Sequence, residues 1–238
     1  MGRAFEYRKA TKFARWDKMA KAFTKAVREI TIAVKAGGGS PEYNAMLRRA
    51  IQNAKSVQMP KDKIENAIKK ASSRDAADFK EIVYEGMAPH GVAVIVETAT
   101  DNPTRTVANI RAIFKKKGGS LGTSGMHDFI FNRKGVFYVA ADKIPDAESF
   151  ELDFIDHGLE KMELLEEQNQ YLLSVDFTDF GKMSEALENA GIEPEKSELQ
   201  RLPTIAKEIS EEQVDEVLDF IDALEQDDDV QNVFHNLE

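Results

Sequence analysis

Apolar residues recur at helical spacing along the first part of the chain. Met19, Phe23, Val27, Ile30 and Val34 follow one another at steps of four, four, three and four, the period of one buried helix face. The triplet Gly37-Gly38-Gly39 ends that helix. A second helix is predicted with Ser40 as its cap, Pro41 in its first turn, Leu47, Ile51 and Ala54 facing inward, and Met59-Pro60 closing it. A third, short helix is predicted from Lys61 to Ala71 on the stripe Ile64, Ala67 and Ile68. The small, polar and aperiodic run 71–78 then reads as a linker.

Beyond the linker the period shortens to that of strands, first at Ile82 and Tyr84 and then in the nearly continuous apolar run Val92 to Val96, which predicts a buried strand. Asn102-Pro103 opens a helix carrying Val107, Ile110 and Phe114, Gly118 ends it, and "MHDFIFNRKGVFYVAA" reads as strand, turn, strand. The alternation recurs as a helix near 147–156, strands near 161–165 and 171–176, a helix at 180–190 and a strand around Leu199. Ser210 and Gln213 fit a capping box for a helix whose predicted buried face is Val214, Val217, Leu218, Ile221 and Leu224, and a last strand follows at Val230 to Phe234. A lone helix and strand cannot bury both faces, so this tail must dock on an existing sheet, with the earlier unit a candidate ahead of its immediate neighbour. The fold class expected is α+β, a helical segment followed by two small α+β units.

Charge changes this picture more than composition does. The first 74 residues carry 18 Lys+Arg against 6 Asp+Glu, and the rest of the chain 14 against 36. A net charge of -10 thus hides a strongly cationic head, and such asymmetry points to a polyanionic partner. Zero cysteines exclude a disulfide framework, a thiol nucleophile and Cys-ligated metal sites, and fit a reducing compartment. No apolar run approaches the roughly 18 residues of a membrane span, and the Arg/Lys-studded start lacks a secretory core segment. A cytoplasmic protein, neither secreted nor membrane-embedded, is the expectation.

Arg8, Lys12, Arg15, Lys18, Lys21, Lys25 and Arg28 succeed one another at steps of three or four, so a helix there carries a nearly continuous cationic stripe beside its apolar one. Only Glu6, Asp17 and Glu29 oppose it among the first 35 residues, which favours phosphate-backbone contact over a merely solvated face. Phe5, Tyr7, Phe13 and Trp16 interleave with these cations, either to stack on unpaired bases or to pin the arm to the helical core. No signature of a base-reading module is present. "KKKGGSLGTSG" places Gly118, Gly119, Gly122 and Gly125 within eight residues, where successive backbone N–H groups can cradle a phosphate or simply make a tight turn; it lacks the GK(S/T) ending of a nucleotide-binding P-loop. His90, His127, His157 and His235 are scattered without metal-ligand spacing, and the many carboxylates have no partner nucleophile. Neither enzyme activity nor a cofactor or metal is expected.

"FTKAVREITIAVKAGGGSPEYNAMLRRAIQNAKSVQMPKDKIENAIKKA", followed by "YEGMAPHGVAVIVETATDNPTRTVANIRAIFKKKGGSLGTSGMHDFIFNRKG", closely resembles the YebC/PmpR family. The GGG loop, "MPKDKIENAIKK", "YEG", "TDNPTRT" and "GGSLGTSG" stand in the family's order, and a weaker pattern extends the resemblance over essentially the whole chain. The resemblance implies a basic helical domain at 1–75, a middle ferredoxin-like α+β domain made of 79–134 plus 208–238, and an inserted one at 135–207. It also implies a DNA-binding transcriptional regulator or, as in mitochondrial and some bacterial relatives, a translation factor at the ribosome that relieves stalling. One departure is the start, "GRAFEYRKATKFARWDKMAKAF", with Phe5 where relatives usually carry Trp.

The candidate nucleic-acid contacts are therefore Arg3, Arg8, Lys9, Lys12, Arg15, Lys18, Lys21, Lys25, Arg28, Arg48, Arg49, Lys61, Lys63, Lys69 and Lys70. A second candidate contact is the loop with Lys116, Lys117, Gly119, Gly122, Thr123 and Ser124. The expected partner is DNA, alternatively ribosomal RNA, with the acidic α+β domains positioning the head or meeting a protein partner.

Overall fold

The computed structural model describes residues 3–74 and 76–238, with side chains from Met19 onward. The chain divides into two compact units, Met1–Phe79 and Lys80–Glu238. The first is built from α1 (Arg3–Gly37), α2 (Ala45–Ser56) and α3 (Lys61–Ala71). Ile30, Ala33 and Val34 of α1 pack on Leu47, Ala50 and Ala54 of α2 and on Ile64, Ala67 and Ala71 of α3. The apolar stripe thus lies where its period placed it, except that Met19 is exposed and the packed part of the stripe begins at Phe23.

Ser40 is not the cap of α2. Residues 41–43 form a turn, and buried Asn44 takes the role, its Oδ1 accepting from the Leu47 amide at 3.0 Å. Its Nδ2 donates to the carbonyls of Ala33 and Gly38, each at 2.8 Å. One side chain therefore satisfies orphan groups at the end of α1 and the start of α2, which Ser40, four residues earlier, cannot reach together.

The second unit holds β1 (Lys80–Met87), β2 (Ala93–Thr100), α4 (Pro103–Lys116), β3 (Ser120–Leu121), β4 (Phe131–Ala140), α5 (Ala147–Ile155), β5 (Leu159–Leu165), β6 (Gln170–Asp176), α6 (Phe180–Asn189), β7 (Lys196–Pro203), α7 (Glu211–Glu225) and β8 (Val230–His235). They form two four-stranded antiparallel sheets, in the orders β3-β1-β2-β8 and β5-β6-β4-β7. The second follows the β-α-β-β-α-β chain order of a ferredoxin-like unit. The first has the same layering with a different chain order, because its opening hairpin β1-β2 precedes α4 and its last strand arrives after the whole second sheet.

In the first sheet, Val94 and Val96 of β2, with Val92 just before that strand, face Ile110 and Phe114 of α4 and Val217, Phe220, Ile221 and Leu224 of α7, with Phe114 and Phe220 edge-to-face at 4.9 Å. The helix α7 opens with the capping box of Ser210 and Gln213. Phe220 is buried and Leu218 is exposed, so the inward face is rotated slightly from the one expected. The second sheet packs Phe137, Val139, Leu173 and Val175 against Phe150, Phe154, Met183 and Leu187. "MHDFIFNRKGVFYVAA" contributes one strand rather than two: residues 124–130 are turns and β4 begins at Phe131, because Ile130 and Phe131 are apolar to cover the other face of the first sheet at Ala93 and Ile95.

Candidate nucleic-acid interface

Arg3, Arg8, Lys9, Lys12, Arg15 and Lys18 lie on the α1 backbone, and their side chains, with those of Phe5, Tyr7, Phe13 and Trp16, are outside the described ones. Lys21, Lys25 and Arg28 continue the stripe half-buried at steps of four and three, and the Arg28 guanidinium lies 5.3 Å from the centre of the Phe79 ring. On α3, Lys61, Lys63, Lys69 and Lys70 are all exposed, with Lys61 3.7 Å from Glu65. Arg48 and Arg49 have work inside the unit. Arg48 Nη1 donates to the Pro41 carbonyl at 2.9 Å and holds the turn before α2, while Arg49 lies 3.6 Å from Glu29, which also accepts from Asn53 at 3.0 Å. Among the described side chains, outward candidate cations are thus concentrated on α3, and the α2 pair stabilises the helical packing.

The loop after α4 differs from a phosphate cradle in one respect. Glu85 of β1, nearly buried, accepts the Gly125 amide at 2.7 Å and the His127 amide at 2.9 Å, and its own carbonyl accepts the Gly122 amide at 2.8 Å. An internal carboxylate already fills the nest that an anion would occupy. His127, buried, donates its Nε2–H to the Gly86 carbonyl at 2.7 Å. Gly125 has φ +85°, which favours glycine, and a Cβ on Gly119 would sit 2.6 Å from the Met87 carbonyl oxygen and 2.8 Å from the Phe220 ring. These glycines serve turn geometry and close packing. Lys117 points back to Asp219 of α7 at 3.8 Å, whereas Lys116, Gly122, Thr123 and Ser124 are exposed.

"TDNPTRT" also has a structural account. Asn102 caps α4 by accepting from the Arg105 amide at 3.1 Å. Arg105 reaches the buried Asp229 carboxylate at 2.9 Å, and the hydroxyls of Thr106 and Thr100 lie 2.7 and 3.2 Å from it. Asp229, and after it Asp101, holds the Arg105 guanidinium more firmly protonated than usual. Sequence reasoning missed Glu85 and Asp229; the one signal available was an acid set in an apolar strand, "IVYEGM", which demands partners if buried. Among the described residues no group of three His, Asp or Glu is arranged to hold a metal ion, and no helix is long and apolar enough to cross a membrane.

Comparison with known proteins agrees over the full length. Residues 3–74 match the TACO1/YebC protein N-terminal domain, and residues 79–237 match the TACO1/YebC second and third domain. A protein of Anaeromyxobacter dehalogenans is 53% identical over 240 residues, covering 100% of both chains. Another, from Porphyromonas gingivalis, is 50% identical over 100% of this chain and 97% of its own. Each is named a probable transcriptional regulatory protein. The crystal structure of a conserved hypothetical protein from Aquifex aeolicus superposes with a TM-score of 0.76 at 38% identity, covering 92% of this chain and 90% of its own. With both parts of the family matched in order and the α+β architecture shared with a solved relative, this chain belongs to the TACO1/YebC family.

Proposed function

We propose that the chain is a non-enzymatic regulator of gene expression that binds nucleic acid, duplex DNA in the first instance, through its basic helical unit. The observation that carries this reading is the concentration of 18 of the 32 Lys+Arg in the first 74 residues, with Lys63, Lys69 and Lys70 of α3 exposed to a partner. Such a surface neutralises phosphates and gains the free energy of counterion release, which is independent of base sequence. The relatives' names, probable transcriptional regulatory protein, support assigning that contact to transcription. The acidic remainder of the chain keeps the rest of the surface from wrong nucleic-acid contacts.

The test is a competition at fixed near-physiological salt, with labelled protein, purified ribosomes and random duplex DNA as competitor. Excess DNA is expected to strip the protein from ribosomes. A ribosome complex that survives the excess overturns the DNA assignment and places the target in folded RNA. Charge reversal at Lys63, Lys69 and Lys70, all exposed on α3, is expected to weaken binding strongly while the thermal transition stays where it was.

A further inference from the structure

The second unit is acidic, with 14 Lys+Arg against 34 Asp+Glu in Lys80–Glu238, but its charges are not evenly mixed. Residues 102–134 hold seven of those cations and a single acid, Asp128. Four of the seven have internal employment. Arg105 bonds to Asp229, Lys117 faces Asp219, Lys134 pairs with Glu160, and the Arg133 guanidinium lies 3.6 Å from the centre of the Phe177 ring. The other three, Arg111, Lys115 and Lys116, are exposed on α4 and meet no carboxylate within 4.0 Å among the described residues.

Stability does not explain this trio. Lys115 and Lys116 complement the helix C-terminus, but Arg111 lies beyond the last turn, where that effect has faded. Arg111 and Lys115, four residues apart on one face, repel each other. In a unit with 34 acids, any of several positions could have supplied a neutralising partner, and none does. Between the cations the surface is low: Ala108 and Ala112 are exposed, so a polymer backbone can approach the helix closely. Further along the chain, after β3, Thr123 and Ser124 are exposed on a loop that Glu85 holds in place.

We infer that the outer face of α4, with Arg111, Lys115 and Lys116, is a second phosphate-binding surface, so that the chain grips nucleic acid at two places. This inference rests on the nucleic-acid reading above but assigns a contact to the acidic unit, where overall charge argues against one. Its consequence is additive electrostatics, since each neutralised phosphate of duplex DNA steepens the salt dependence of log affinity by about 0.9.

The full chain is compared in three forms: unaltered, with Arg111→Gln, Lys115→Gln and Lys116→Gln, and with Lys21→Gln, Lys25→Gln and Arg28→Gln. Affinity for a short random duplex DNA and for a folded RNA is measured over a salt series, with a thermal melt for each protein. The α4 variant is expected to lose about 2 to 3 from the slope on duplex DNA. An unchanged slope and affinity overturn the inference. Loss in the α4 variant with unaltered binding in the α1 variant leaves this surface standing and removes the head from the interface; the opposite pattern does the reverse. Arg111→Lys with Lys115→Arg and Lys116→Arg keeps the charge and is expected to restore the slope, and a slope still lost there also overturns the inference.

Discussion

The Glu85 carboxylate accepts the amides of Gly125 and His127, 40 and 42 residues further along the chain, at 2.7 and 2.9 Å. This pair of bonds fixes a glycine-rich turn against the end of β1, using an internal anion where the bare sequence offers a place for an external one. Replacing Glu85 by Gln keeps one acceptor and turns an amide donor toward the second N–H. A loss of about 1–3 kcal/mol is expected in denaturant unfolding, the cost of a buried donor left unsatisfied. Hydrogen exchange should accelerate at the Gly125 and His127 amides, and unchanged protection there would remove Glu85 from this role.

Asp229 ties the tail to the start of α4. Asp229→Asn keeps shape but weakens the bonds from Arg105, Thr100 and Thr106, and about 1–3 kcal/mol of stability should be lost. Arg105→Ala should cost less, because that guanidinium is about half exposed and water replaces much of what it gives up. Equal losses from the two substitutions would argue against the buried carboxylate as the centre of the network. A double-mutant cycle measures the shared part.

His235 of β8 is half-buried, and burial pushes its pKa below the ordinary 6.5, with Glu225 and the Leu237 backbone opposing in part. The unfolded chain therefore binds a proton more readily than the folded one. Its contribution is intact above about pH 6.5 and is lost as the pH falls from there through the depressed folded value. The melting temperature should drop on that descent, and His235→Gln should flatten the part of the drop that belongs to this group. An identical pH profile in the variant would sink the assignment.

Within the helical unit, binding and stability should separate by residue. Lys63→Gln with Lys70→Gln is expected to weaken DNA binding and lower its salt slope by about 2, with the melt unchanged. Arg48→Ala should lower the melting temperature through the turn that its guanidinium holds at Pro41 and Glu42. If Arg48→Ala instead leaves stability intact and abolishes binding, the division drawn between α2 and α3 fails.

Much of the fold was legible because it rests on local periodicity. The helix Lys61–Ala71, the Asn102 start of α4 and the capping box of α7 were all written in neighbouring residues. Errors arose where a distant partner decided the outcome. Asn44 displaces Ser40 as a cap because it also serves Ala33, eleven residues back. Ile130 and Phe131 read as an extra strand because apolar residues covering a sheet face look the same as those within one. Of the candidate interface, charge was legible and occupation was not: the sequence lists cations, and only the fold shows Arg49 beside Glu29 and Lys117 beside Asp219 while Arg111 stays outward.

The pairing of β8 with β2 has a further consequence for biosynthesis. Val94, Ile95 and Val96 wait for Val233, Phe234 and His235, and about 130 intervening residues take on the order of 10 s to be made at 5–20 residues per second. Throughout that interval the β2 edge is an unpaired apolar template, while the β5-β6-β4-β7 sheet can close behind it. A nascent chain cut short by even its last ten residues therefore forfeits the seal on its first sheet, and such fragments should be captured by chaperones or proteases far more readily than their modest loss of length implies.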